Sequence, residues 1–148
     1  MFNIIHMLLG ALIGRELDSL WLIALLGIGS HFLLDMIPHW DVKYDRKKLQ
    51  EKGEIDIEKK FIYFNFLLGI IGLIMVIILS RHNKEAHMLF GALIAYSPDF
   101  LSLFYAKCKN KWITKYVKFH SKIQGENSYF LGTIIQTSLI IVLVKILF

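Results

Sequence analysis

Cysteine is nearly absent. The chain of 148 residues has one, Cys108, which excludes an intrachain disulfide and any CxxC metal motif. Proline is almost as scarce, with only Pro38 and Pro98, so long helices run with few interruptions. There is no P-loop, no GxSxG elbow and no dinucleotide fingerprint. The phosphate-cradling and serine-nucleophile chemistries that those motifs serve are therefore set aside. The N-terminus has no basic region, and its apolar run carries His6 and continues into more apolar sequence. No cleavable signal peptide is expected from that pattern.

What is present is mostly apolar. Hydrophobic residues make up 55% of the chain and its mean hydropathy is +0.52, against about 45–50% apolar residues in an ordinary soluble domain. Four long apolar blocks stand out. Residues 20–37 are apolar except for Ser30, His31 and Asp35, and residues 61–80 carry no charge. Residues 87–106 carry only Asp99, and residues 129–148 only Lys145. Each approaches the roughly 20 residues that cross a hydrocarbon core. A fifth segment, residues 2–14, reaches only about 20 Å as a helix, against a core of about 30 Å. It is expected to be held by its neighbours, with His6 facing inward. None of the segments alternates with a period of two. The pattern predicts an all-α fold: a single polytopic transmembrane domain over residues 1–148, a bundle of about five apolar helices.

The charge lies in two connections. Residues 42–60 hold Lys43, Arg46, Lys47, Lys48, Lys52, Lys59 and Lys60 among several acids. Residues 107–127 hold Lys107, Lys109, Lys111, Lys115, Lys118 and Lys122, with Glu126 the only acid. The two flank a pair of spanning blocks and so share one side, the cytoplasmic one by the positive-inside rule. Topology and anionic headgroups account for these lysines, and no nucleic-acid partner is inferred. A weak internal repeat relates HMLLGALIG at His6 to HMLFGALIA at His87, an offset of 81 residues that also links Asp18 to Asp99 and His39 to His120. It points to an internal duplication, and its small-xxx-small spacing favours close helix contact.

Chemistry concentrates in the run SHFLLDMIPHWD, residues 30–41. His31 and Asp35 are four apart and share a helix face. Pro38 disturbs the helix, and His39 and Asp41 follow. Two imidazoles and two carboxylates so close together suit a metal site. Ionisable groups inside a membrane segment also point to function, because they are costly there. In the predicted topology His6, His31, Asp35, His39, Asp41, Asp99 and His120 converge on the cytoplasmic face. His87 and Asp18 fall at the other end, Asp18 with Ser19 as a helix N-cap.

The pieces SHFLLDMIPHWD, HMLLGALIG and GALIAYSPDF resemble a family of bacterial membrane-bound metal-dependent hydrolases. More distantly, HxxxD followed by a proline and a histidine resembles zinc-dependent phospholipase C and the nucleases built like it. The resemblance covers about half the chain in patches. It implies a multinuclear zinc site, with His31 and Asp35 as ligands, His39 by its place after the proline, and Asp99 through its Pro-Asp pair. The N-terminal tryptophan ligand of the soluble enzymes has no counterpart here.

The expected function is a metal-dependent hydrolase in the bacterial inner membrane. His6, His31, Asp35, His39, Asp99 and His120 would bind a divalent metal, zinc first, and Asp41 would act as general base or orient a ligand histidine. A site at headgroup level suits an ester or phosphoester such as a lipid. The alternative is a small ion- or metal-binding transporter, or a structural membrane subunit. Oligomeric state is not readable from the sequence.

Overall fold

The computed structural model describes residues 1–40, 59–105, 110–125 and 128–148, leaving out the side chains of residues 59–62 and 103–105. The described residues form six helices and no strand: α1 (Asn3–Glu16), α2 (Leu20–Met36), α3 (Lys59–Asn83), α4 (His87–Tyr105), α5 (Lys111–Ile123) and α6 (Tyr129–Leu147). The all-α expectation is met. The basic connection 42–60 lies mostly outside the described residues.

Local chemistry sets the boundaries. Helix α2 stops because Pro38 forces the residue before it out of helical geometry, and Ile37 is extended, with φ −72° and ψ 139°. Helix α3 ends in a Schellman turn. Lys84 has φ 58°, Glu85 N–H donates to Ser80 O and Lys84 N–H to Arg81 O. Asn110 caps α5 by accepting from Trp112 N–H at 2.8 Å. Ser19 occupies the N-cap position of α2 but makes no side-chain cap bond. Pro98 lies inside α4 and cannot donate to the Ile94 carbonyl. Ser97 Oγ donates there instead, at 2.8 Å.

The expected count of about five apolar helices needs correction. Among the described residues two helices are long and apolar enough to cross a membrane, Tyr63–Asn83 and Tyr129–Leu147, and Leu20–Met36 is a shorter apolar helix. Helix α1 has only 14 residues, and α4 carries both Pro98 and Asp99. The second basic connection is also corrected, since residues 111–123 within it form the amphipathic helix α5.

Helix α1 is the centre of the bundle, in contact with α2, α3, α4 and α6. Ile5, His6, Leu8 and Ala11 are fully buried. Its closest partner is the segment that repeats its own sequence. Gly10 faces Gly91 and Ala95 while Gly14 faces His87 and Met88, so α1 and α4 cross antiparallel, backbone against backbone. That crossing brings His6, near the start of α1, to the end of α4 that carries Asp99.

Candidate metal centre

Three helices deliver one cluster of four side chains. His31 and Asp35, one turn apart on α2, face α1, α4 and α5. Asp99 comes from α4, one residue beyond Pro98. His120 comes from the inner face of α5, with Val117 and Ser121. His31, Asp35, Asp99 and His120 each place one donor atom within 4.8 Å of all the others. The sequence pattern named all four.

Hydrogen bonds fix the imidazoles. His31 Nδ1 lies 2.8 Å from the Ala95 carbonyl, which can only accept. The proton is therefore on Nδ1, and Nε2 turns its lone pair into the cluster. Ser102 Oγ donates to the Pro98 carbonyl at 3.3 Å and accepts from His120 Nδ1 at 3.2 Å. With the proton on His120 Nδ1, its Nε2 is bare as well. It faces Asp35 Oδ2 at 2.8 Å and His31 Nε2 at 3.3 Å, and His31 Nε2 lies 3.4 Å from Asp35 Oδ2. In that tautomer three electron-rich atoms meet, whereas a proton on His120 Nε2 makes the 2.8 Å contact a hydrogen bond to Asp35 Oδ2. A tetrahedral zinc ion with bonds of about 2.0–2.1 Å would hold its ligand atoms about 3.3–3.4 Å apart. Two of the three spacings match. Asp99 Oδ1 is farther out, 3.8 Å from His31 Nε2, and at 20% exposure it marks the open side of the cluster.

The two carboxylates also reach the other way. His6 Nε2 is 3.2 Å from Asp35 Oδ1 and 4.0 Å from Asp99 Oδ2. Its ring stacks on His31 at 4.1 Å. The 3.2 Å contact is within ion-pair reach but poorly aligned for a hydrogen bond, and both ring nitrogens of His6 are buried without such a partner among the described residues. A buried polar group left in that state costs about 1–3 kcal/mol. The Met1 amine lies 2.9 Å from Asp35 Oδ1.

His39 is buried, with Nδ1 2.7 Å from the Ile37 carbonyl, and the four-residue group does not include it. Its backbone carbonyl accepts from Ser128 N–H, which ties the end of α2 to the start of α6. Asp41 lies outside the described residues.

The supporting atoms escaped sequence reasoning. Ser102 and the carbonyls of Ala95 and Pro98 hold the ligands in orientation. Their signal is the serine spacing around Pro98, where a proline leaves helix carbonyls in need of donors. Tyr116 Oη also donates to Pro98 O, at 2.8 Å. Burial, and then the Asp99 carboxylate, push its phenol above the usual range, so it remains a donor.

No family model, curated protein or solved structure matches this chain.

Proposed function

We propose that the protein is a membrane-embedded metal-dependent hydrolase of the bacterial inner membrane, acting on an ester or phosphoester, such as a lipid, at the cytoplasmic face. The observation that carries this reading is the meeting of His31 Nε2, His120 Nε2 and Asp35 Oδ2 in a dry interior, with the far nitrogen of each imidazole pinned to an oxygen. A bound cation would engage all three at once. Zinc suits the two nitrogens and one or two carboxylate oxygens. His6 faces the opposite carboxylate oxygens, where the Met1 ammonium already donates to Asp35 Oδ1.

Membrane placement rests on an inverted surface. His6, His31, Asp35 and Gln136 are fully buried, whereas Trp21 is 86% exposed, Leu25 69% and Leu33 66%. So broad an apolar exterior suits lipid contact. The basic stretches favour the inward orientation. Cysteines substituted for Lys48 and Lys115 are expected to resist an impermeant maleimide added to intact cells. Reaction of either would overturn the cytoplasmic placement.

A bound zinc ion would lower the pKa of a water and supply hydroxide near neutral pH. The chain's own residues do the rest. His31, Asp35 and His120 bind, Ser102 and the Ala95 carbonyl orient, and Asp99 lies where water and substrate enter. Asp41 is the candidate general base. The transporter alternative needs a polar route to the other face. In its place stand the Gly10–Gly91 backbone contact and fully buried Ile5, Leu8, Ala11, Met88 and Ala92.

Elemental analysis of protein purified without chelators is the test, followed by ester and phosphodiester hydrolysis assays. Metal is expected, with zinc the first candidate. Because imidazoles ligate only when neutral, loading should fall as the solution is acidified. A protein that is metal-free as purified, and takes up no zinc, manganese or iron when offered them, would end the hydrolase reading.

A further inference from the structure

Helix α5 has two faces with different tasks. Val117, His120 and Ser121 are buried, and His120 reaches the cluster. On the opposite face Trp112, Lys115, Phe119 and Lys122 are all exposed, at spacings of three, four and three residues, which places them in one stripe. Trp112 is 74% exposed and Phe119 54%. The helix has no acidic residue.

This stripe has the composition of a bilayer boundary. An indole places its apolar body at the acyl edge and its N–H among headgroups. Lysine stems lie along apolar surface while their ammonium groups reach phosphate. The stripe is also continuous with the apolar exterior. The Phe119 ring packs edge-on against Phe32 at 5.9 Å, and the adjacent α2 residues Leu33 and Met36 are exposed. A nucleic acid would engage the lysines but give no reason for Phe119 to extend the apolar surface of α2. A lipid surface accounts for both.

We propose that α5 is an interfacial helix whose outer stripe binds the anionic headgroup layer of the bilayer, so that lipid holds in place the helix that roofs the metal centre and delivers His120. This rests on the membrane placement argued above and not on the identity of the metal.

The full chain, reconstituted in phosphatidylcholine–phosphatidylglycerol bilayers, provides the test. One lipid or the other carries bromine on its acyl chains to quench nearby indoles. The fluorescence difference between the parent and Trp112→Phe isolates Trp112. Quenching of Trp112 is expected, severalfold stronger with brominated phosphatidylglycerol than with brominated phosphatidylcholine. In the Lys115→Glu/Lys122→Glu variant that preference should disappear. Two results would overturn the proposal. In one, Trp112 is unquenched by either lipid, as a water-facing or protein-covered stripe requires. In the other, both lipids quench it equally in the parent and the charge-reversed variant. Fluorescence remaining in Trp112→Phe comes from Trp21 and Trp40. If Trp21 on the exposed face of α2 is also unquenched, the membrane placement itself has failed. If only Trp112 is unquenched, the placement stands and this inference alone falls. The readout needs no metal, so a metal-free parent leaves its outcome unaffected.

Discussion

With asparagine in place of Asp35, the proposed metal binding and hydrolysis are expected to be lost while the helices remain. Asp35 is the hub of the cluster, 2.8 Å from His120, 3.4 Å from His31 and 3.2 Å from His6. Asparagine has the same shape. Its amide N–H can donate to the bare His120 Nε2, which suits the metal-free fold, but its neutral oxygen is a poor zinc ligand. Loss of an outer group that merely orients a ligand weakens metal binding about 10–100-fold, so loss of a ligand should exceed about 100-fold. Zinc at roughly 1,000 times the parent's Kd stabilises the folded parent by about 4 kcal/mol. At that concentration a variant binding 100-fold more weakly keeps about 1.4 kcal/mol. Thermal midpoints with and without zinc measure the gap. If Asp35 serves only as ionic partner to buried cations, asparagine should instead cost about 3–5 kcal/mol by leaving charge unpaired. Parent and variant would then respond identically to zinc, and the ligand role would be lost.

The helix-borne half of this site was legible in the sequence because helical spacing is rigid. His31 and Asp35 stand four apart, and that alone puts them on one face. Asp99 stood out because a charge in an apolar segment is costly without a partner. His120 is harder to place by pattern. It lies among lysines that also satisfy the positive-inside rule, so its stretch reads as a connection. Helix α5 was nevertheless written there, in the spacing of Ile113, Tyr116, Val117 and His120 and in the cap at Asn110. His39 follows Pro38 in sequence as closely as a ligand would, yet the four-residue group does not include it. Separation along the chain says little once a proline has turned the backbone. The number of spans was overcounted for a related reason. Helix α1 counts among the five by apolar content, although its shortness already placed it among its neighbours, and its glycines let α4 approach so closely that those neighbours enclose it.

That enclosure makes the glycines of the repeat the other sites of large effect. Gly91→Ala is expected to destabilise the protein severely, whereas Gly29→Ala should be neutral or slightly stabilising. The chemistry of the two changes is identical: one methyl group added inside a helix. At Gly29 the new Cβ meets nothing within 4 Å, so alanine's better helix propensity acts alone, worth up to about 1 kcal/mol. At Gly91 the Cβ would run into the Gly10 carbonyl oxygen, with the Gly10 carbonyl carbon at 3.0 Å and the Gly14 nitrogen at 3.2 Å. Those are backbone atoms of a helix packed on all sides and cannot rotate away. The helices must separate, and overpacking of this kind costs about 1–3 kcal/mol, more where backbone is struck. Separation would also carry Asp99, two turns further along α4, away from His31 and His6. Gly91→Ala should therefore lose metal affinity as well as stability, although it touches no ligand. Thermal unfolding in bilayer discs, with zinc titration of whatever remains folded, reads both. If the two alanine variants prove equally stable, the backbone-on-backbone crossing of α1 and α4 is wrong, and with it the route by which the repeat brings His6 to Asp99.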